Sequence, residues 1–229
     1  MTRAVLFSGG EDYTDPWHPF AETSAVIADV LRAAGFRVLT VMDVGEVGVV
    51  LQDDDLLVVN AGGGQQAHPK DDELLAVLAG HSGGILAFHV AATLLPSSTS
   101  WEQRLGGRWI RGRTMHPARG DVRLIRDADV DDEDLPAIID TVDEAYSWLR
   151  VGSAARVMYR HDYAGEMHPV VWTNVDSGVR AAYCALGHDV EAFDSPAVRA
   201  LVASLARWAA TPDGPDPGPS GAAQARAIA

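Results

Sequence analysis

Four short strand-like segments alternate with helical patterns in the amino-terminal half of this chain, and no other feature constrains its fold as strongly. Ala4–Ser8 reads as the first strand, and Phe20–Ala34 has the apolar spacing of a helix closed by Gly35. Phe36–Met42, with β-branched residues in alternation, reads as the second strand. Asp55–Asn60 reads as the third, because Leu56-Leu57-Val58-Val59 is too apolar for an exposed edge. A short helix over Asp71–Ala79, acidic in its first turn, precedes a fourth strand over Ile85–His89. This order predicts an α/β fold built on a doubly wound, mostly parallel sheet.

The carboxyl-terminal half is less regular. Trp109–Arg111, Val122–Ile125, Val157–Tyr159, Val170–Thr173 and Ala181–Leu186 read as further strands, several joined by short turns such as Asp176-Ser177-Gly178. They extend the sheet in mixed orientation. Ser195 opens an amphipathic helix through Ala210, with Pro196 at its first turn. From Thr211 onward the chain is Pro, Gly and Ala with almost no large apolar residue, so it buries too little to offset its ordering entropy. The expected organisation is one domain over residues 1–210 and a flexible tail over 211–229.

Composition excludes several classes of function. The formal net charge is −14, with acids concentrated in Asp53-Asp54-Asp55 and from Asp127 to Asp134, runs that read as solvated loops. No basic patch offers itself to a phosphate backbone, so no nucleic-acid partner is expected. No apolar run approaches the ~18 residues of a membrane span, and no signal peptide precedes the first strand. The lone Cys184 excludes an internal disulfide and fits a reducing compartment; a cytoplasmic location is expected.

The eight histidines are informative through their placement. His18 lies in the loop after the first strand, and His89 ends the fourth, where Gly83-Gly84 and Ala91-Ala92 allow a sharp turn into a helix. His188 follows the strand ending at Leu186, and His116 precedes Pro117. Ligands of open α/β sheets bind at the carboxyl ends of the strands. In a parallel sheet His18 and His89 share that edge with Asn60 and the run Gly62-Gly63-Gly64, whose backbone N–H groups could meet an oxyanion or simply let the loop turn. Neither that run nor Ser8-Gly9-Gly10 has the spacing of a phosphate loop or dinucleotide fingerprint, so no nucleotide cofactor is expected. His68, His81 and His161 read as surface residues, and His168, before a proline and a strand, suits a local structural role.

An ordered set of motifs supports a family resemblance. His168-Pro169-Val170-Val171-Trp172-Thr173, Leu186-Gly187-His188-Asp189, Phe193 and the helix ending Arg207-Trp208-Ala209 are its most specific part. Trp17-His18-Pro19-Phe20, His89, Gly106-Gly107-Arg108-Trp109, His116-Pro117 and Asp143-Glu144-Ala145-Tyr146 support it. Together they resemble the ThuA-like trehalose-utilisation family, a branch of the class I glutamine amidotransferase-like superfamily. The resemblance implies a three-layer flavodoxin-like fold, a site at the carboxyl edge of the sheet, and action on a carbohydrate or sugar derivative. It also implies that the turn at His89 corresponds to the amidotransferase nucleophile elbow, where those enzymes carry cysteine. His188 then corresponds to the partner histidine, with Asp189 or Glu191 near the position of the acid. Cys184 falls inside a strand and cannot replace the nucleophile, so glutamine hydrolysis is not expected.

Two chemistries remain open. In the first, His18, His89 and His188, with Glu144 or His116, hold zinc or another divalent metal that activates water or polarises a sugar carbonyl. In the second, His89 and His188 exchange protons with a small-molecule sugar without a metal, and Asp143-Glu144 supplies a carboxylate. The candidate catalytic residues are thus His89, His188 and Glu144. Asn60, Gly62, Gly63, His116, Trp172 and Tyr146 are the candidate substrate-binding residues, with Trp172 or Tyr146 offering an apolar face to the ring. The alternative is a non-catalytic sugar-binding or regulatory module on the same fold. A third reading is an amidohydrolase with another nucleophile, which a Ser or Thr hydroxyl within reach of His188 would favour.

Overall fold

In the computed structural model the described residues are 2–62, 66–132 and 134–211. Gly63 and Gly64 of the glycine run, and the predicted tail from residue 212 onward, lie outside them. Four parallel strands form as the alternation predicts: β1 (Arg3–Ser8), β2 (Arg37–Val41), β3 (Leu56–Asn60) and β4 (Ile85–Phe88). Helices α1 (Phe20–Ala33), α2 (Val44–Val50) and α3 (Asp71–Gly80) connect them. Every residue of β3 and β4 is buried, as expected of parallel strands covered on both faces.

The second half adds α4 (Thr99–Leu105), β5 (Gly107–Arg108), β6 (Gly120–Arg126), β7 (Ile138–Asp143), β8 (Arg150–Val151), β9 (Arg156–Tyr163), β10 (Glu166–Asp176), β11 (Val179–Cys184) and α5 (Pro196–Ala209). The main sheet has nine strands in the order β2-β1-β3-β4-β11-β10-β9-β6-β7. β11 returns beside β4 in parallel, pairing Cys184 with Phe88, and completes a flavodoxin-like order with the first four strands. From β10 outward the pairing is antiparallel, which gives the mixed second half. β5 and β8 form a separate two-stranded ribbon pairing Arg108 with Arg150. No helix among the described residues is long and apolar enough to cross a membrane.

Several local expectations are corrected. The strand expected over Trp109–Arg111 lies earlier, at Gly107–Arg108, because Ile110 begins a tight turn. Its carbonyl accepts from the N–H groups of Arg113 and Thr114, its own N–H donates to Thr114 Oγ1, and Gly112 supplies a φ of +76°. Besides the two-residue β8, three elements were not legible. α2 is built from valines and glycines of low helix propensity and depends on Asp43, whose side chain accepts from Glu46 N–H as a cap. α4 is capped by Ser98 at one end and left-handed Gly106 at the other. β7 mixes Asp and Thr into its apolar alternation.

His81 and His161, expected on the surface, are buried at 4% and 2% exposure. His161 points inward from β9 and donates from Nε2 to the Tyr146 carbonyl at 2.9 Å. Burial pushes both imidazoles below the usual histidine range.

Candidate functional site

The carboxyl edge of the parallel sheet gathers residues from four connections. His89 follows β4 directly, in a single 3-10 turn over His89–Thr93, with φ at +42°. A non-glycine residue there costs on the order of 1–3 kcal/mol, and two neighbours hold it. Tyr183 donates its hydroxyl to the His89 carbonyl at 2.7 Å, and His89 Nδ1–H donates to the Ala185 carbonyl at 2.7 Å. That second bond fixes the tautomer and leaves the Nε2 lone pair facing the cleft, where Tyr146 donates its hydroxyl at 2.9 Å.

His18 is prepared in the same way by a residue that the sequence did not single out. Asp15 accepts from His18 Nδ1–H at 2.7 and 2.8 Å and from the backbone N–H groups of Trp17 and His18. Burial alone would raise the Asp15 carboxyl, but these donors bring it below the usual range. His18 Nε2 is left buried without a hydrogen-bond partner among the described residues. His188 follows β11 through Gly187, whose φ is +123°. Buried Asp143, at the end of β7, accepts from the N–H groups of Gly187 at 2.6 Å, His188 at 3.3 Å and Glu144 at 2.7 Å, tying these two connections together. Burial pushes the Asp143 carboxyl up, against the opposing influence of His89 and these donors.

Glu144 is the hub. Its Oε2 lies 3.4 Å from His89 Nε2, from His116 Nε2 and from His188 Nδ1. Burial would raise this carboxyl, yet His188, His89 and His116 hold it well below the ordinary glutamate range. Contact with Glu144 raises the His188 imidazole in turn, with burial opposing. His188 Nδ1 is buried and makes no hydrogen bond of good geometry. Nearness to Glu144 is therefore coulombic contact rather than a satisfied bond.

One ligand atom from each of His18, His89, Glu144 and His188 lies within 4.8 Å of all the others. Donor atoms at ~2.1 Å from a tetrahedral ion are about 3.4 Å apart, the separation Glu144 has from His89 and His188. The three ring centroids are 5.1, 4.9 and 5.6 Å apart. Two of the four groups carry an orphaned buried nitrogen, which costs free energy unless something accepts the lone pair. The donor set could hold a divalent metal, with Asp15 behind His18 as the outer carboxylate that such histidines characteristically have.

A cleft of about 990 Å³ opens from this cluster. His116 lies on its wall, Nδ1–H donating to the Pro117 carbonyl so that Nε2 faces Glu144. Tyr146 lines it as a neutral phenol, its ionisation pushed well up by burial. Two tryptophans that received no role from sequence flank it: Trp17, 70% exposed, and half-buried Trp109. An exposed tryptophan beside a histidine already singled out was the available signal.

Other expected site residues lie elsewhere. Trp172 is fully buried, stacked on Tyr183 at 4.3 Å and donating Nε1–H to the Leu105 carbonyl at 2.8 Å, so it offers no face to a sugar. Asn60 is buried in a polar network, donating to Thr23 and Ser24 at 2.9 Å, and does not line the cleft. Gly62 packs so tightly that a Cβ would come within 2.4 Å of the Val90 carbonyl oxygen, which gives it a steric role. Gly63 lies outside the described residues. Asp189 and Glu191 pair with Arg119, and the carboxylate against His188 is Glu144 instead. Cys184 is buried, its thiol pushed up to about 12 by burial, as its strand position predicts. No Ser or Thr hydroxyl hydrogen-bonds His188 among the described residues.

Comparison with known proteins agrees with this architecture. The profile of the ThuA family, described as trehalose utilisation, matches residues 3–209. A ThuA-like protein from Parabacteroides merdae is similar in structure with a TM-score of 0.71 at 20% identity, the match covering 92% of this chain and 90% of that one. A ThuA-like protein from Bacteroides uniformis gives 0.68 at 15% identity, over 91% of each chain. A β-galactosidase from Halorubrum lacusprofundi gives 0.57 at 17% identity, over 91% of this chain but 30% of its own. No curated protein matches the sequence. At these identities the structural likenesses establish the fold.

Proposed function

The chain belongs to the ThuA, or trehalose utilisation, family, and on that premise we propose that its cleft holds a divalent metal ion and acts on a sugar or sugar derivative. The observation that carries the metal reading is the pair of orphaned buried nitrogens, His18 Nε2 and His188 Nδ1, beside His89 Nε2 and Glu144. Such an ion, zinc for example, supplies Lewis acidity toward a carbonyl or hydroxyl oxygen and lowers the pKa of water.

The protein's own residues do the rest. His18, His89, His188 and Glu144 are the ligands. Tyr146 is neutral and does not compete as a base; its hydroxyl, which bonds His89 Nε2 while that nitrogen carries no ion, would turn to donate to a bound sugar oxygen once Nε2 is a ligand. His116, the most exposed of the cleft imidazoles, takes and returns a proton at Nε2 during reaction of a sugar hydroxyl. Trp17 and Trp109 give apolar faces to the pyranose ring, the role that buried Trp172 is unable to fill. The sugar assignment rests on the family description and on these two faces.

A second reading is metal-free proton transfer, favoured by the Tyr146 hydroxyl already bonded to His89 Nε2. Elemental analysis of purified protein separates the two, with His18→Ala and His89→Ala alongside. The metal reading expects about one equivalent in the wild type and loss in both variants. Metal-free wild type that still binds sugar, with His89→Ala abolishing turnover, would favour proton transfer instead.

A further inference from the structure

The cleft has a second chemical pole besides the histidine–carboxylate cluster. Arg108, Arg111 and Arg150 all line it, in a chain whose formal net charge is −14. The ribbon β5–β8 sets Arg108 opposite Arg150. Arg150 grips Glu102 through Nε and Nη2 at 2.6 and 2.7 Å, and Arg108 lies 3.7 Å from the same carboxylate. Arg108 is 7% exposed and donates to the carbonyls of Ser98 and Leu95, so it is fixed in place. Among the described residues Glu102 is the one carboxylate these two guanidiniums contact, which leaves two positive charges against one negative there.

Arg111 adds a further charge and has no hydrogen bond or ion pair with any described residue. It projects from a built turn rather than a loose loop. Ile110 and Thr114 close that turn, and Thr114 Oγ1 also donates to the Trp148 carbonyl at 3.0 Å. A guanidinium at a cleft wall whose donors meet no described residue is suited to a carboxylate or phosphoryl group, which it meets with two parallel hydrogen bonds.

We propose that the substrate of this cleft is an anionic sugar, a sugar acid or a sugar phosphate, whose charged substituent is bound by Arg111 while its ring faces the histidine cluster. The inference deepens the sugar reading above and rests on it.

The test titrates full-length protein, as purified, with matched probes in a calorimeter: glucose, galactose and mannose, their uronates, their 6-phosphates, and inorganic phosphate and acetate. At least one anionic sugar is expected to bind ~10-fold or more tightly than its neutral parent. Arg111→Gln, an exposed substitution that preserves the fold, should erase that preference, and Arg111→Lys should restore part of it. Preference for the uronate marks a carboxylate ligand, and preference for the 6-phosphate a phosphoryl one. The proposal is overturned if neutral sugars bind equally well, if no anionic sugar binds, or if the preference survives Arg111→Gln. It is also overturned if inorganic phosphate or acetate alone matches the sugar anion. Metal content measured on the same samples keeps the two readings apart. Metal-free protein with an Arg111-dependent preference removes the metal centre alone, whereas metal-loaded protein without the preference removes this proposal alone.

Discussion

His18 shows how a single imidazole is divided between structure and chemistry. Its Nδ1–H is committed to Asp15, and its buried Nε2 has no partner among the described residues. Removing the outer acceptor should loosen the ring without deleting a ligand. Asp15→Asn is therefore expected to weaken metal binding ~10–100-fold, measured by competition against a calibrated chelator. Unchanged affinity would mean that Asp15 only shapes the loop. The two tryptophans Trp17 and Trp172 should separate cleanly. Trp172→Ala deletes a fully buried indole and should cost about 3–5 kcal/mol in urea unfolding. Trp17→Ala, at an exposed site, should leave stability within ~0.5 kcal/mol while weakening sugar binding. At this scale the sequence pointed to His18, His89, His188 and Glu144 through strand-end placement and family motif. It gave no sign of Asp15, because an acid three residues from a histidine acquires meaning only when the loop folds the two together.

The connections matter more than the strands they follow. Gly187 combines a left-handed φ of +123° with an N–H bonded to Asp143 and a Cβ direction 3.4 Å from the Phe193 ring. Gly187→Ala is expected to cost on the order of 1–3 kcal/mol and to reduce metal retention, since the strain falls on the residue before His188. A purely thermodynamic effect, with the metal equivalent unchanged in the folded fraction, would show that the His188 connection tolerates the shift. Among the parallel strands, β3 and β4 were legible because short continuous apolar runs leave little alternative, and β2 because β-branched residues alternate along it. β7 was not, although it delivers both Asp143 and Glu144. Its alternation is diluted by Asp140 and Thr141, and what fixes it is pairing with β6 and the Thr141 hydroxyl bond to the Ala192 carbonyl. The strand expected at Trp109–Arg111 failed for a related reason: Thr114 closes a turn from four residues downstream.

Across the whole molecule, buried imidazoles tie stability to pH. His81 and His161 are held below their ordinary value of 6.5 by burial, so the unfolded chain binds protons there before the native state does. Their neutral forms cost nothing above that value, and stability is lost as pH falls from about 6.5 toward the lowered native pKa. The urea midpoint should decline over that window, and His161→Gln, which keeps a donor for the Tyr146 carbonyl, should flatten the decline. Identical pH profiles for the wild type and His161→Gln would contradict the burial of this ring. The sequence by itself determined the parallel half of the sheet, the sharp turn at His89 and the placement of the lone cysteine inside a strand, because these follow from local periodicity and residue type. Only the tertiary structure decided that Glu144 is the shared carboxylate, that Trp172 is core and Trp17 is cleft, and that three arginines line the same cleft as the histidines. Those facts depend on which connections converge at one sheet edge, and residues far apart in sequence meet there through strand pairings that no local pattern encodes.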